Sequence, residues 1–233
     1  MPATRPVASA RQRVHQAVRA DIVAEARRQL ADASAASLSL RAVARDLGMA
    51  PSAMYRYFAS RDELLTALIL EAYDAMGEMA DHAARSAGTA ANRLASVFRA
   101  VRGWAQAHPH EYALLFGTPV PGYRAPELTV GSASRVTGVM ASLVMDAQRA
   151  GELEPAKIPP ISDAMAAQAQ PVAQTVLPGV PLPIVARSLV VWGFLYGQIS
   201  FELFGRMEGI ISDADVLFDF AITTMLDMLG FSG

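Results

Sequence analysis

Arg41, Ser52, Tyr55 and Arg56 fall within one short stretch and supply guanidinium and hydroxyl groups, the chemistry that bonds phosphates and base edges. That stretch, SLRAVARDLGMAPSAMYRYFASRDELL over Ser39–Leu65, positions them with two short helices and a turn. Leu40, Val43, Ala44 and Leu47 share one helical face, while Arg41, Arg45 and Asp46 take the other. Ser39 is placed to cap this helix, and Gly48 can adopt the left-handed backbone that ends it. Pro51 opens the next helix, where its missing N–H costs nothing. In a helix-turn-helix the second helix enters the major groove with its N-terminal residues at base edges, which puts Pro51, Ser52, Tyr55 and Arg56 within reach of DNA. Ala53, Met54 and Phe58 face back into the domain.

The charge distribution suits a polyanion. Residues 1–58 carry nine Arg against four acidic residues, net +5, whereas residues 59–233 carry eleven basic against eighteen acidic, net −7. Val14–Ala33 reads as a first helix with Val18, Ile22, Ala26 and Leu30 on one face. Arg11, Arg13 and Arg19 lie before it or on its first turns; such an arm tracks the backbone, enters the minor groove or hangs free.

As a block, GMAPSAMYRYFASRDELL resembles the TetR family of transcriptional regulators, through the turn glycine, Tyr55, the Tyr57–Phe58 pair and the Ser60–Leu65 opening of the next helix. The resemblance covers about residues 14–70. It implies a three-helix DNA-binding domain joined by a fourth helix to an all-helical ligand and dimer domain. It also places Arg61 where the family carries a basic phosphate contact, so that Arg61→Ala flattens the salt dependence of binding. Ala50 stands where the family usually has Ser or Thr, which shifts affinity toward Ser52, Tyr55, Arg56 and backbone donors. The candidate DNA-contact set is Ser39, Arg41, Pro51, Ser52, Tyr55, Arg56, Tyr57 and Arg61. Two further segments, His108–Gly117 and Trp192–Leu203, look like the C-terminal domain of the WHG subgroup, which commonly has His where this chain has Tyr196.

The rest of the chain reads as helices. The fourth runs from Arg61 through Met76 to near Gly88, followed by about Ala91–Ala107, Pro109–Phe116, Pro126–Ala150, Pro183–Met207 and Ser212–Leu229. Pro155–Pro183 holds seven of the fourteen prolines and reads as an irregular loop. Pro183–Met207 is apolar around much of its circumference and must bury more than one side, against its own core and a partner. Gly193 and Gly197 share a face that another helix can approach closely. With Phe201, Phe218 and Ile222 they form the candidate dimer interface, a four-helix arrangement completed by a second copy. Trp104, Tyr112, Phe116, Met140, Met145, Trp192 and Tyr196 form the candidate pocket for a small hydrophobic or neutral ligand.

These observations predict an all-α protein. Residues 1–60 form a helix-turn-helix DNA-binding domain with a basic arm, and residues 61–233 a helical ligand-binding and dimerisation domain. Its expected partners are an operator duplex, a ligand and a second copy. Cysteine is absent from the 233 residues, so neither disulfides nor thiol chemistry are available. His108 and His110 stand two apart, the wrong spacing for a helical metal pair, and no nucleophile elbow or phosphate-binding glycine loop appears, so no cofactor is expected. The opening residues lack an apolar signal core, and the longest apolar run, Ser188–Phe201, falls short of the roughly 20 residues that span a bilayer. A cytoplasmic protein is expected. Two alternatives stay open: a helical ligand-binding or interaction protein whose motif no longer reads DNA, and an enzyme built on a helical bundle.

Overall fold

A computed structural model describes residues 10–32, 35–154 and 159–231. Residues 1–9 of the basic arm, Ala33 at the expected end of the first helix, and Pro155 at the head of the proline-rich stretch lie outside them. Eleven α-helices and no named strand occur among the described residues.

Helix α1 (Ala10–Asp32), α2 (Leu40–Asp46) and α3 (Pro51–Met54) surround a core of Ile22, Ala26, Leu30, Val43, Met54 and Phe58. That core also takes Leu64, Leu65 and Leu68 from α4 (Arg61–Ala84), so the two cores of the molecule divide inside α4 rather than before it. The α1 helix begins four residues earlier than its apolar stripe suggests, which places Arg11, Arg13 and Arg19 on it. Further along α4, Ala72, Met76 and Ala80 face α5 (Ala90–Ala107) and α8 (Arg135–Ala150) in the larger C-terminal core. There α6 (Pro109–Phe116) lies near the first domain, and α9 (Asp163–Thr175) and α11 (Ala214–Leu229) flank α10 (Leu182–Leu203).

Side-chain caps fix several of these starts. Ser60 accepts from Glu63 N while the Glu63 carboxylate accepts from Ala59 N, so one orphan donor of α4 and the amide just before its cap are satisfied. Thr89 caps α5 and Asp213 caps α11. The α4 helix ends at Ala84 rather than near Gly88, and α10 ends at Leu203 rather than Met207.

Two expectations are corrected. The proline-rich stretch contains α9, with Ser162 accepting from Met165 N, Asp163 in the first turn, and an Ala/Gln-rich body of good helix formers. Pro171 sits inside it, and the carbonyl it leaves unpaired belongs to exposed Ala167 and can bond water. The expected single helix Pro126–Ala150 is instead a 3-10 turn (Glu127–Thr129), α7 (Val130–Ala133) and α8, with a 43° bend. Ser134 Oγ bonds Val130 O at the break, and Arg135 then reaches Asp81 and the Asp74 carbonyl. Gly77 makes room for it, since a Cβ there would overlap the Arg135 stem.

At 22 residues, α10 is long and apolar enough to cross a membrane by length and composition, which the shorter run Ser188–Phe201 did not suggest. Its inner face is anchored in protein: Ile184, Val191, Leu195 and Ile199 are buried, and Glu202 forms a bidentate pair with Arg102 of α5.

Candidate nucleic-acid interface and ligand cleft

The turn that orients α3 is closed by two hydrogen bonds, Gly48 N to Arg45 O and Met49 N to Ala44 O, with Gly48 at φ +64°. This is the Schellman arrangement, and it requires a residue tolerant of left-handed backbone. Ala50 precedes α3 with no side-chain cap, and Pro51 occupies its first turn. Met54 and Phe58, both fully buried, anchor the inner side. Pro51, Ser52, Tyr55 and Arg56 are consequently presented to solvent, as is Arg41 on α2. Neither Arg41 nor Arg56 has an ion-pair partner among the described residues.

Of the expected contacts, Tyr57 and Arg61 make bonds within the domain, and Ser39 lacks the cap bond expected of it. Ser39 stands at the N-cap position of α2 with extended backbone, but its side chain makes no cap bond. Tyr57 turns toward α1: its ring packs on His15 at 4.8 Å, and its carbonyl accepts from Arg19 at 2.6 Å. Arg19 also lies 4.0 Å over the Phe58 ring and 3.5 Å from Glu63, so it braces α3 against α1 instead of serving as a free arm residue. Arg61 spends its guanidinium on the carbonyls of Leu38, Ala35 and Ala36, at 3.0, 2.8 and 3.1 Å. It fastens the 3-10 turn Ala35–Ser37 that links α1 to α2, with Nε and Nη2 engaged on those carbonyls.

In the C-terminal domain a cleft of about 780 Å³ opens between α4, α6, the following loop, α7, α8 and α10. Phe116, Trp192 and Tyr196 of the expected pocket line it, joined by Tyr73 and Tyr123, which sequence reasoning missed. Phe116 stacks on Tyr196 with centroids 4.4 Å apart. Burial pushes the Tyr73 and Tyr196 phenols above their ordinary range, and Tyr196 is raised further by its neighbours Tyr112 and Tyr73; both stay protonated donors. Met140 lines a separate apolar slot. Trp104, Tyr112 and Met145 line neither cavity. Trp104 is core and stacks on His108, Met145 packs against the core, and Tyr112 is a buried strut whose hydroxyl donates to Tyr196 O at 3.0 Å and lies 2.9 Å from Ser200 Oγ.

Burial raises the Tyr112 phenol to about 12, partly offset by its Ser200 bond. An unfolded phenol ionises near 10, so the folded state keeps a proton that the unfolded state has lost as pH rises from 10 to 12. Stability is therefore full below pH 10 and falls by about 2 kcal/mol by pH 12 from this group. Denaturant titrations at pH 9 and pH 12 check this, with Tyr112→Phe expected to show a smaller difference between the two.

The cleft is mechanically close to the first domain. The Tyr123 hydroxyl lies 2.9 Å from Thr66 Oγ1 of α4, and Leu114, Val120 and Tyr123 pack on the N-terminal core. Arg27 of α1 pairs with Glu71 of α4 at 2.6 Å and Glu111 of α6 at 3.0 Å.

Beyond the cleft, α10 and α11 expose Val190, Phe194, Phe201, Val216 and Phe220. Gly193 and Gly197 lie on this side, and nothing stands within 4 Å of where their Cβ atoms would be. Phe218 and Ile222, expected at a dimer interface, are instead 2% and 3% exposed and belong to the chain's own core. The outward positions of α11 are Val216 and Phe220.

Residues 22–68 match the family of bacterial regulatory proteins, tetR family, and residues 94–225 match the Tetracyclin repressor-like C-terminal domain. The chain belongs to the TetR family. Like other members it is a DNA-binding transcriptional regulator with an N-terminal helix-turn-helix and a helical C-terminal domain. It is 38% identical over 219 residues to HTH-type transcriptional regulators of Mycobacterium tuberculosis and Mycobacterium bovis, covering 90% of this chain and 91% of each relative. The crystal structure of the regulatory protein SCO4313 superposes with a TM-score of 0.77 at 36% identity, over 94% of this chain and all of that one. A Rhodococcus sp. RHA1 protein of unknown function shares the fold at a TM-score of 0.69 and 23% identity, over 91% of this chain and 95% of that one.

Proposed function

We propose that this TetR-family regulator works in the cytoplasm as a homodimeric repressor of a near-palindromic operator, released by a small ligand. The observation that carries the reading is the presentation of Ser52, Tyr55 and Arg56 on α3 while Met54 and Phe58 hold that helix in the core. One recognition helix reads only a few base pairs, so a two-fold partner supplies the second half-site. The exposed apolar face of α10 and α11 is the surface for that partner. A ligand in the cleft displaces the Tyr123 loop or α6, and both bear on the first domain through Thr66 and Arg27. Such a ligand acts only through its differential affinity for the DNA-competent and released arrangements.

Selection of bound fragments from genomic DNA tests the reading, because the recovered sites would show paired half-sites about one helical turn apart. Recovery of no preferred sequence would reject it. On a selected site, Arg56→Ala should cost about tenfold to a hundredfold in affinity and relax preference at one base pair. Arg41→Ala should instead weaken all sequences alike and reduce the salt slope by about one. Fluorescence anisotropy across a salt series separates the two.

A further inference from the structure

Two cavities, one wholly apolar and one apolar but bearing phenols, meet at Trp192. Behind the tyrosine-bearing cleft, a slot of about 200 Å³ runs between α8, α9 and α10, walled by Met140, Val144, Val172 and Leu177. Thr137, Val176 and Trp192 line both spaces. Inside the slot the Ser188 hydroxyl is already bonded to the Ile184 carbonyl, and the other hydroxyl at its wall, Thr137, stands where the slot joins the cleft. The larger space carries phenols and hydroxyls, and the Tyr73 and Tyr196 hydroxyls have no hydrogen-bond partner among the described residues. No Asp, Glu, His, Lys or Arg among the described residues lines either space.

From this pairing we infer that the ligand is a neutral linear amphiphile. Its carbonyl-type head accepts from the Tyr73 and Tyr196 phenols, and its alkyl tail passes Trp192 into the slot. A charged head is disfavoured because an ionised carboxylate would lose water without meeting a cation. A compact polar molecule would leave the slot unused, whereas each tail methylene buried there contributes the transfer of apolar surface from water. Trp192 is the point at which the two chemistries change over, and its ring stands edge-on to Tyr196 at 6.2 Å. The inference rests on the reading of the cleft as a ligand site.

The test uses the full-length protein and calorimetric titration with saturated methyl esters of increasing chain length, the matching free acids, and acetophenone as a compact neutral ketone. Tryptophan emission is followed in parallel, with Trp192→Phe to identify the reporting ring. Methyl esters should bind with about a fourfold gain per methylene until the slot is full. Free acids of equal length should bind at least about tenfold more weakly at neutral pH. Leu189→Trp, which fills the slot from its half-exposed rim without overpacking the core, should flatten the chain-length trend and leave acetophenone binding in place. Tyr196→Phe should weaken esters and ketone together. Binding of acetophenone with no chain-length trend overturns the amphiphile while the cleft survives as a ligand site. Tighter binding of acids than of esters overturns the neutral head. If Leu189→Trp alters dimerisation and not the trend, a second copy fills the slot and the proposal falls. If no probe binds, the proposal falls, and the cleft reading falls with it.

Discussion

Phe220→Glu should convert the proposed dimer to monomer at micromolar concentration and lower operator affinity by about a thousandfold. Phe220 is 68% exposed on α11, with Val216 at 65% on the same helix and Phe201 exposed on α10. A chain that leaves so many large apolar side chains on two adjacent helices has a surface shaped for another protein. Two-fold symmetry makes each substitution count twice, because both copies bring the new carboxylate to one interface. Leaving a charge buried without a partner costs about 3–5 kcal/mol, and about 4 kcal/mol is a factor of a thousand in the dimer constant. The monomer should stay folded, since Phe220 contributes little to its own core. Sedimentation velocity reads the oligomeric state, anisotropy reads the operator, and thermal unfolding verifies the fold. Unchanged sedimentation would show that the dimer forms elsewhere. Phe218→Glu makes the contrast, because a carboxylate at that position enters the core and should unfold the C-terminal domain.

The contrast between Phe218 and Phe220 shows where sequence reading stops. In ADVLFDFAITTMLDML two apolar stripes run along one helix, and each satisfies helical spacing. Only the position of α5 and α10 decides that Phe218, Ile222, Met225 and Leu229 turn inward. The recognition motif had no such ambiguity. Apolar residues form a single stripe in α2, and Gly48 and Pro51 each have a backbone reason for their place, so the turn and the presentation of Tyr55 and Arg56 were readable. Local rules failed where distant partners intervened. At the α7–α8 bend Arg135 meets Asp81 and Gly77 of another helix, and Pro171 is tolerated inside a helix whose unpaired carbonyl faces water. The pocket was half legible for the same reason. Aromatic type announces a large buried side chain, but the cavity wall at Phe116 and Tyr196 and the solid packing at Trp104 and Tyr112 differ only in tertiary placement.

Arg61 gives the sharpest case of a residue whose partners within the chain the sequence did not show. Its position implies a phosphate contact by family resemblance, yet its donors hold three backbone carbonyls of the α1–α2 connection. Those carbonyls belong to the 3-10 turn and to Leu38 just after it, where regular backbone donors run out. Hydrogen bonds from a charged donor contribute about 1.5–3 kcal/mol each when buried. The Arg61 side chain is 30% exposed, so Arg61→Ala should cost about 2–3 kcal/mol in total, after solvent weakening of each bond. That corresponds to roughly 5–10 °C in the unfolding midpoint of a chain this size. Arg61→Lys should recover little, because an ammonium cannot span carbonyls that the planar fork reaches together. Salt dependence separates the two roles. A lost phosphate contact reduces the slope of log affinity against log salt by about one, whereas a loosened α1–α2 connection lowers affinity at every salt concentration and leaves the slope intact. Parallel lines for the wild type and Arg61→Ala, together with the lowered midpoint, would establish the clamp. A flattened slope with an unchanged midpoint would return Arg61 to the DNA backbone.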